Sequence, residues 1–281
     1  MRRHTTLLEA IYRLYEHSGF SMAGSVAFSF IVSLFPFCIF LAALAGLLFG
    51  GPDLAQQAIE QLFQMLPQPV ASALAPQVDA IVGTSRIDLL TLGGAMALFF
   101  ATSAIETMRT ALNGAYRVDE TRSYPLCLLI SALFVLINAI SSLFITWLIV
   151  VGPAIATEFE PVWMKRIHES GWWTFTSRYG ISAAVMVVEL VAFHVWLAAG
   201  RRTVSDVLPG VLLSVLLWLA AAGLYSYYLS FSDYTRFYAG LSQLMIALIF
   251  FQMSAVIIIL GAELNRGLIE IRRLTLAGDL P

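Results

Sequence analysis

The chain has 281 residues, 59% of them hydrophobic and 12% charged, with a mean hydropathy of +0.81. An ordinary soluble domain is about 25% charged, and no soluble fold of this length can hide so much apolar surface, so the composition indicates an integral membrane protein. A net charge of −2 argues against a nucleic-acid binder held by a basic surface.

The N-terminal stretch TTLLEAIYRLYEHSGF puts Leu7, Leu8, Ile11, Leu14 and Tyr15 on one helical face, with Arg13, Glu16 and His17 elsewhere. That pattern predicts a helix lying on the membrane surface. Six apolar stretches follow, at 22–50, 89–112, 126–151, 181–197, 207–229 and 240–264, the fourth being the shortest. A helix needs about 20 apolar residues to cross the hydrocarbon core. The first stretch is too long for the apolar part of a signal peptide, and with five more behind it a retained span is expected. Within it Ser21, Ser25, Ser29 and Ser33 recur every fourth residue beside Ala23, Gly24 and Ala27. Each step of four drifts about 40° around the helix. The small residues thus form a slanted ridge suited to a close helix crossing, with Ser25 and Ser29 expected to face protein or a cavity. Pro36 removes a backbone donor, and any bend is expected between Val32 and Pro36.

Two connections carry structure of their own. In 51–88, Leu54, Ala58, Ile59, Leu62, Met65 and Leu66 have helical spacing, Pro67 and Pro69 follow, and Val70, Leu74, Val78, Ile81 and Val82 repeat the pattern. Two short amphipathic helices with a proline break are predicted, lying on the outer surface or capping the bundle. In 153–177, Trp163, Trp172 and Trp173 suit the headgroup belt. Cys38 and Cys127 both lie in apolar runs and read as small core hydrophobes rather than as a disulfide.

Cation placement sets the orientation. With the N-terminus inside, Arg2, Arg3, Arg13, Arg109, Arg117, Arg122, Arg201, Arg202, Arg266, Arg272 and Arg273 face the cytoplasm. Arg86, Lys165, Arg166, Arg178 and Arg236 face outward. The expected fold is therefore all-α: one polytopic membrane domain over 1–281, with six spans, N-terminal and extracytoplasmic amphipathic helices, and both termini in the cytoplasm.

Ionisable groups inside a membrane cost about 2.5–3.5 kcal/mol on insertion scales, so each asks for a reason. Glu189, in VMVVELVAF near the middle of the fourth span, is either a proton, cation or substrate site or a neutral carboxyl bonded to a neighbouring helix. With Ser25, Ser29, Asn138 and Gln252 it makes up a candidate intramembrane polar site. Glu106, Arg109 and Asn113, at steps of three and four, point the same way from the end of the second span. With Glu263 and Asn265, which end the sixth span beside Arg266, they form a candidate network at the cytoplasmic mouth. His194 sits about 140° around the helix from Glu189, so the two do not make a metal pair.

Several short elements together resemble the YihY/BrkB family of bacterial inner-membrane proteins. They are AGSVAFSFIVSLFP in the first span, TALNGAYRV at 110–118, DVLPGVLLSVLLW at 206–218, YAGL at 238–241 and LGAELN at 260–265. The resemblance implies a six-helix inner-membrane protein with both termini cytoplasmic. Some members carry a ribonuclease label and others a virulence or serum-resistance label, and transport is often suggested. The last span departs from the pattern: where many members are Trp-rich, this chain has ALIFFQMSAV with Gln252.

No GxSxG, P-loop, HExxH or CxxC element occurs, and His4, His17, His168 and His194 are scattered. No enzyme, metal or cofactor is expected, and ribonuclease activity is disfavoured. The leading expectation is a transporter or permease-like bundle moving a small solute, ion or amphiphile. The alternative is an envelope scaffold acting through protein or lipid contacts. Expected partners are the bilayer and an unknown small solute or lipid, with no nucleic acid and with homo-oligomerisation left open.

Overall fold

In the computed structural model, residues 6–49, 53–82, 90–159, 184–231 and 241–277 are described, and all regular structure among them is helical. The helices are α1 (Thr6–Glu16), α2 (Gly19–Phe49), α3 (Asp53–Met65), α4 (Gln68–Val82), α5 (Leu90–Tyr116), α6 (Tyr124–Phe159), α7 (Ala184–Leu197), α8 (Val204–Phe231) and α9 (Ser242–Ala277).

Four of these helices are long and apolar enough to cross a membrane, within Gly19–Leu41, Tyr124–Thr146, Val204–Ser230 and Ser242–Thr275. The sequence predicted six spans. Of the other two, α5 carries Glu106 and Arg109 in its second half. The described part of α7 rises about 21 Å, short of the roughly 30 Å hydrocarbon core. Leu129, Leu133, Ile137, Ile140 and Phe144 of α6 are exposed, as are Leu208, Leu212, Leu216 and Leu219 of α8. Steps of three and four place each set in one stripe along its helix, a surface matched to lipid tails rather than to water.

The bundle is built around α2, which packs along α5 and is crossed by α9; α8 lies on α9, and α6 on α5. Val26, Leu41, Met108, Leu112, Leu143 and Ile259 are fully buried between them. The tightest crossing joins α8 to α9. A Cβ on Gly210 would collide with the Gly261 carbonyl and lie 2.5 Å from the Asn265 amide, and a Cβ on Gly261 would collide with Ser214 Oγ. Two glycines therefore let these backbones touch.

The small-residue ridge of α2 is only half used. Ser29 Oγ lies 2.9 Å from Thr107 Oγ1, and Ser33 donates to the Phe100 carbonyl at 3.0 Å. Ser25, expected to face protein or a cavity, is instead exposed and bonds the Ser21 carbonyl of its own helix at 3.3 Å. The reason is the drift along the ridge. By Ser25 it has turned onto the stripe that carries exposed Phe28 and Val32, away from α5. Helix α2 runs through Pro36 as one element.

The proline break falls where predicted, between Met65 and Gln68. The pair it separates caps the bundle, since Ile59 of α3 is buried and α4 inserts Val70 and Leu74 among Ile31, Tyr225, Ala247 and Phe250. At the other end α1 docks on α9. It buries Ala10 and Leu14, pairs Arg13 with Glu9 and Glu270, and leaves Leu8, Tyr12 and Tyr15 exposed, a face suited to the membrane interface. Cys38 and Cys127 are free and buried. Trp163, Trp172, Trp173, Arg86, Lys165, Arg166, Arg178 and Arg236 lie outside the described residues.

Candidate functional site: a polar layer at one end of the bundle

The site begins with the way α5 stops. Val118 N–H bonds the Asn113 carbonyl and Arg117 N–H bonds that of Gly114, with Arg117 in the left-handed region at φ 53°. This is a Schellman ending, in which glycine usually takes that place. The strain of a non-glycine residue there, about 1–2 kcal/mol, is borne by a side chain with work to do. The Arg117 guanidinium forks onto Glu263 of α9 at 3.3 and 3.4 Å and also contacts His17, beyond α1. Glu263 is 1% exposed, so this fork supplies the counter-charge that a buried carboxylate requires.

Beyond the Schellman turn the chain places Glu120 under two arginines. Glu120 accepts from Arg122 Nε at 2.7 Å, Arg122 Nη2 at 2.8 Å, the Arg122 backbone N–H at 3.1 Å, Arg109 Nη1 at 2.7 Å and Asn113 Nδ2 at 3.1 Å. The Arg122 hydrogen bonds, helped by Asn113 and Arg109 against a smaller cost of burial, hold its carboxyl well below the usual carboxylate range. Arg109 also grips Glu106 at 2.6 Å, and Ser131 of α6 donates to Glu106 at 2.5 Å. Two carboxylates and two guanidiniums thus compensate one another across α5, α6 and the turn between them.

The end of α7 closes the layer. Its last turn, Phe193–Leu197, is π-helical, and the bond from Ala198 N–H to the Phe193 carbonyl completes it before Ala198 turns extended. Gly200, at φ +90°, carries the chain away, a conformation open to glycine. A helix end leaves its last carbonyls without intrahelical donors, and here two arginines supply them. Arg122 donates to Trp196 and Leu197 carbonyls at 3.2 and 2.8 Å; Arg202 donates to His194 and Ala199 carbonyls at 2.9 and 2.5 Å. Asn113 Oδ1 accepts the Ala199 N–H at 2.7 Å. The Arg202 guanidinium also lies 3.9 Å from the centre of the Tyr116 ring, a cation–π contact.

Behind this surface runs a buried chain of polar groups. Gly210 N–H donates to Asn265 Oδ1 at 2.6 Å, which fixes the amide so that Nδ2 donates to Tyr116 Oη at 3.3 Å. The tyrosine proton is then directed at His194 Nδ1, 2.9 Å away. In that arrangement His194 Nε2 carries the ring hydrogen, and it is buried without a hydrogen-bond partner among the described residues. An unmet buried donor costs about 1–3 kcal/mol, and such a group is where a water or solute atom is accommodated.

The predicted mouth residues therefore come together: Glu106, Arg109 and Asn113 share one cluster, and Glu263 and Asn265 join neighbouring ones. The predicted intramembrane set does not assemble. Ser25 is exposed, Ser29 bonds Thr107, and Asn138 bonds the Phe134 carbonyl of its own helix at 3.3 Å. Gln252 Nε2 sits 4.0 Å from a Cβ placed on Gly24, at the α2–α9 crossing. Glu189 is half-buried on α7 and makes no hydrogen bond or ion pair among the described residues. Sequence reasoning missed Tyr116, Glu120, Arg122 and Arg202. The run of Asp119, Glu120 and Arg122 directly behind a helix end was the available signal. Among the described residues no group of three or more His, Cys, Asp or Glu side chains is placed to hold a metal.

A depression of about 380 Å³ opens at the layer, floored by Ala198, Ala199 and Gly200 and walled by Arg122, Trp196, Arg201 and Arg202. Glu189 does not line it.

The motifs at 110–118, 206–218 and 260–265 thus meet one another in space, through Tyr116, Gly210 and Asn265. YfkH of Bacillus subtilis (strain 168), named as a ribonuclease-like protein, is 28% identical over 263 residues, covering 92% of this chain and 93% of its own. No solved structure matches. The family described as "Virulence factor BrkB" matches residues 10–278, and the chain belongs to that family.

Proposed function

We propose that the protein is a permease-like helical bundle of the bacterial inner membrane, moving a small solute, ion or amphiphile through the polar layer. It would have six spans, α5 and α7 completing the four clear ones, and both termini in the cytoplasm. The observation that carries this reading is the end of α7. An apolar helix stops in a π-turn inside a charged layer, its carbonyls capped by arginines and a buried histidine nitrogen beside it unmet among the described residues. Clefts between the helices of a bundle, lined by a few convergent polar groups, are where small ligands bind. Glu189, on the same helix, is the ionisable group a coupled proton or cation would use. The reading assigns no catalytic chemistry, and the ribonuclease-like name is that of YfkH and not of this chain. The scaffold alternative loses support because the outer helices α3 and α4 bury Ile59, Val70 and Leu74 within their own chain.

A bundle that transports must open this layer, whereas a scaffold need not. In a background lacking Cys38 and Cys127, Ala115→Cys, buried at 0% exposure, should react with a membrane-impermeant thiol reagent. Exposed Thr110→Cys serves as the reactive control. In proteoliposomes, rapid exchange of a panel of small inorganic and organic ions should give protein-dependent currents that Glu189→Gln lowers. A thiol at 115 that stays unreacted while 110 is labelled, together with silence across the panel, would end the transport reading.

A further inference from the structure

We infer that the arginine-walled depression at the end of α7 binds the phosphate of an anionic phospholipid headgroup. Its charge is the first reason. Arg109 and Arg122 are answered by Glu106 and Glu120, but Arg201 and Arg202 have no carboxylate partner among the described residues, and no acidic side chain lines the depression. Arg202 is half-buried. A partly buried cation without a counter-charge is unfavourable unless an anion joins it.

Donor geometry is the second reason. A guanidinium has five N–H groups. Arg202 spends two on the His194 and Ala199 carbonyls, and this clamp, with Tyr116 stacked on one face, holds the rest of its fork in a fixed place. Arg201 makes no hydrogen bond among the described residues and is exposed beside it. Two neighbouring forks, one rigid and one free, match the several oxygens of a phosphate. The depression, about 380 Å³, falls within the range of ligand pockets.

Placement separates a lipid from a soluble phosphate. Trp196, on the wall, is 66% exposed, and Tyr124, two residues beyond Arg122, is 70% exposed. The exposed apolar stripes of α6 and α8 begin just beyond, at Leu126 and Leu208. Exposed Trp and Tyr between a charged layer and a lipid-facing stripe mark the headgroup level, where basic pockets between helices take anionic headgroups. The site does not depend on transport and stands if the bundle moves nothing.

Native mass spectrometry of the full chain in detergent, titrated with phosphatidylglycerol or with phosphatidylcholine of the same acyl chains, tests it. Each arginine near a membrane surface contributes about 1 kcal/mol, or fivefold. Phosphatidylglycerol should bind at least about fivefold tighter than phosphatidylcholine, Arg201→Gln should remove most of that preference, and Arg201→Glu should abolish it. Arg201 is exposed and makes no hydrogen bond or ion pair among the described residues, so Arg201→Gln should fold as the parent and carries the test if the reversed charge does not. Inorganic phosphate should compete with the lipid. Equal binding of the two lipids with no phosphate binding, or a preference that survives in both variants, overturns the site. Phosphate binding that Arg201→Gln weakens, without any lipid preference, overturns the lipid assignment and leaves a soluble phosphate site.

Discussion

Glu120 shows how the layer works at the scale of one side chain. It accepts hydrogen bonds from two guanidiniums, a side-chain amide and a backbone N–H, and Arg122 above all depresses its proton affinity. A carboxyl whose folded pKa lies below its unfolded value stabilises the fold above the unfolded pKa, near 4.3 for Glu, and loses that contribution as pH falls toward the folded value. The parent should therefore be more heat-stable than Glu120→Gln at pH 7, and the gap should close on acidification below about pH 4. Thermal melts of the two proteins in the same detergent measure it, and a gap that does not change with pH would mean that Glu120 is not the anion holding the two arginines. The sequence disclosed part of this cluster. Glu106, Arg109 and Asn113 could be read because helical periodicity puts them on one face. Glu120 and Arg122 follow a helix end, where no periodicity applies, and the carbonyl partners of Arg122 on α7 are distant in sequence. Ser25 failed for the converse reason: periodicity assigned it to a ridge, but which part of a ridge is covered depends on where the partner helix crosses.

At the scale of elements, the crossing of α8 and α9 fixes the buried chain behind the layer. Asn265 reaches Gly210 N–H only because the backbones touch at Gly210 and Gly261. A methyl group on Gly261 meets Ser214 Oγ on one side and the Gly210 carbonyl, 2.8 Å away, on another. The helices must separate, and overpacking of this kind costs about 1–3 kcal/mol. Gly261→Ala should lower the thermal midpoint and make Tyr116→Phe less harmful than in the parent, because the Asn265–Tyr116 bond would already be weakened. Additive effects of the two changes would show that the crossing does not position the polar chain. By contrast Gly223 and Gly267 meet nothing within 4 Å, and alanine at either should be tolerated. Gly210 and Ser214, four residues apart, form a small-residue step of the kind that permits a close crossing, but its partner on α9 needed the fold to be seen. The proline break between α3 and α4 was legible in full, because proline acts through its own backbone and not through a neighbour.

Across the whole molecule the polar layer constrains the topology. Arg117 touches His17 and Glu263, and Arg122 touches the carbonyls of Trp196 and Leu197. The start of α2, the turn from α5 to α6, the turn from α7 to α8 and the second half of α9 therefore lie at one level. From that level α2 departs, α5 returns, α6 departs, α7 returns, α8 departs and α9 returns. On the six-span reading proposed above, three departures and three returns would leave both termini on one side, and the excess of arginine in these turns would make that side the cytoplasm. In the background without Cys38 and Cys127, single cysteines at Ser123, Thr203 and Thr275 should all be blocked by an impermeant thiol reagent applied to inside-out vesicles and spared in intact spheroplasts. A cysteine at Gln64 on α3, exposed at the far end, should behave in the opposite way. If residue 203 instead labels from the same side as residue 64, the turn behind α7 does not share a side with residue 123. That single result would remove both the six-span topology and the one-sided mouth on which transport depends.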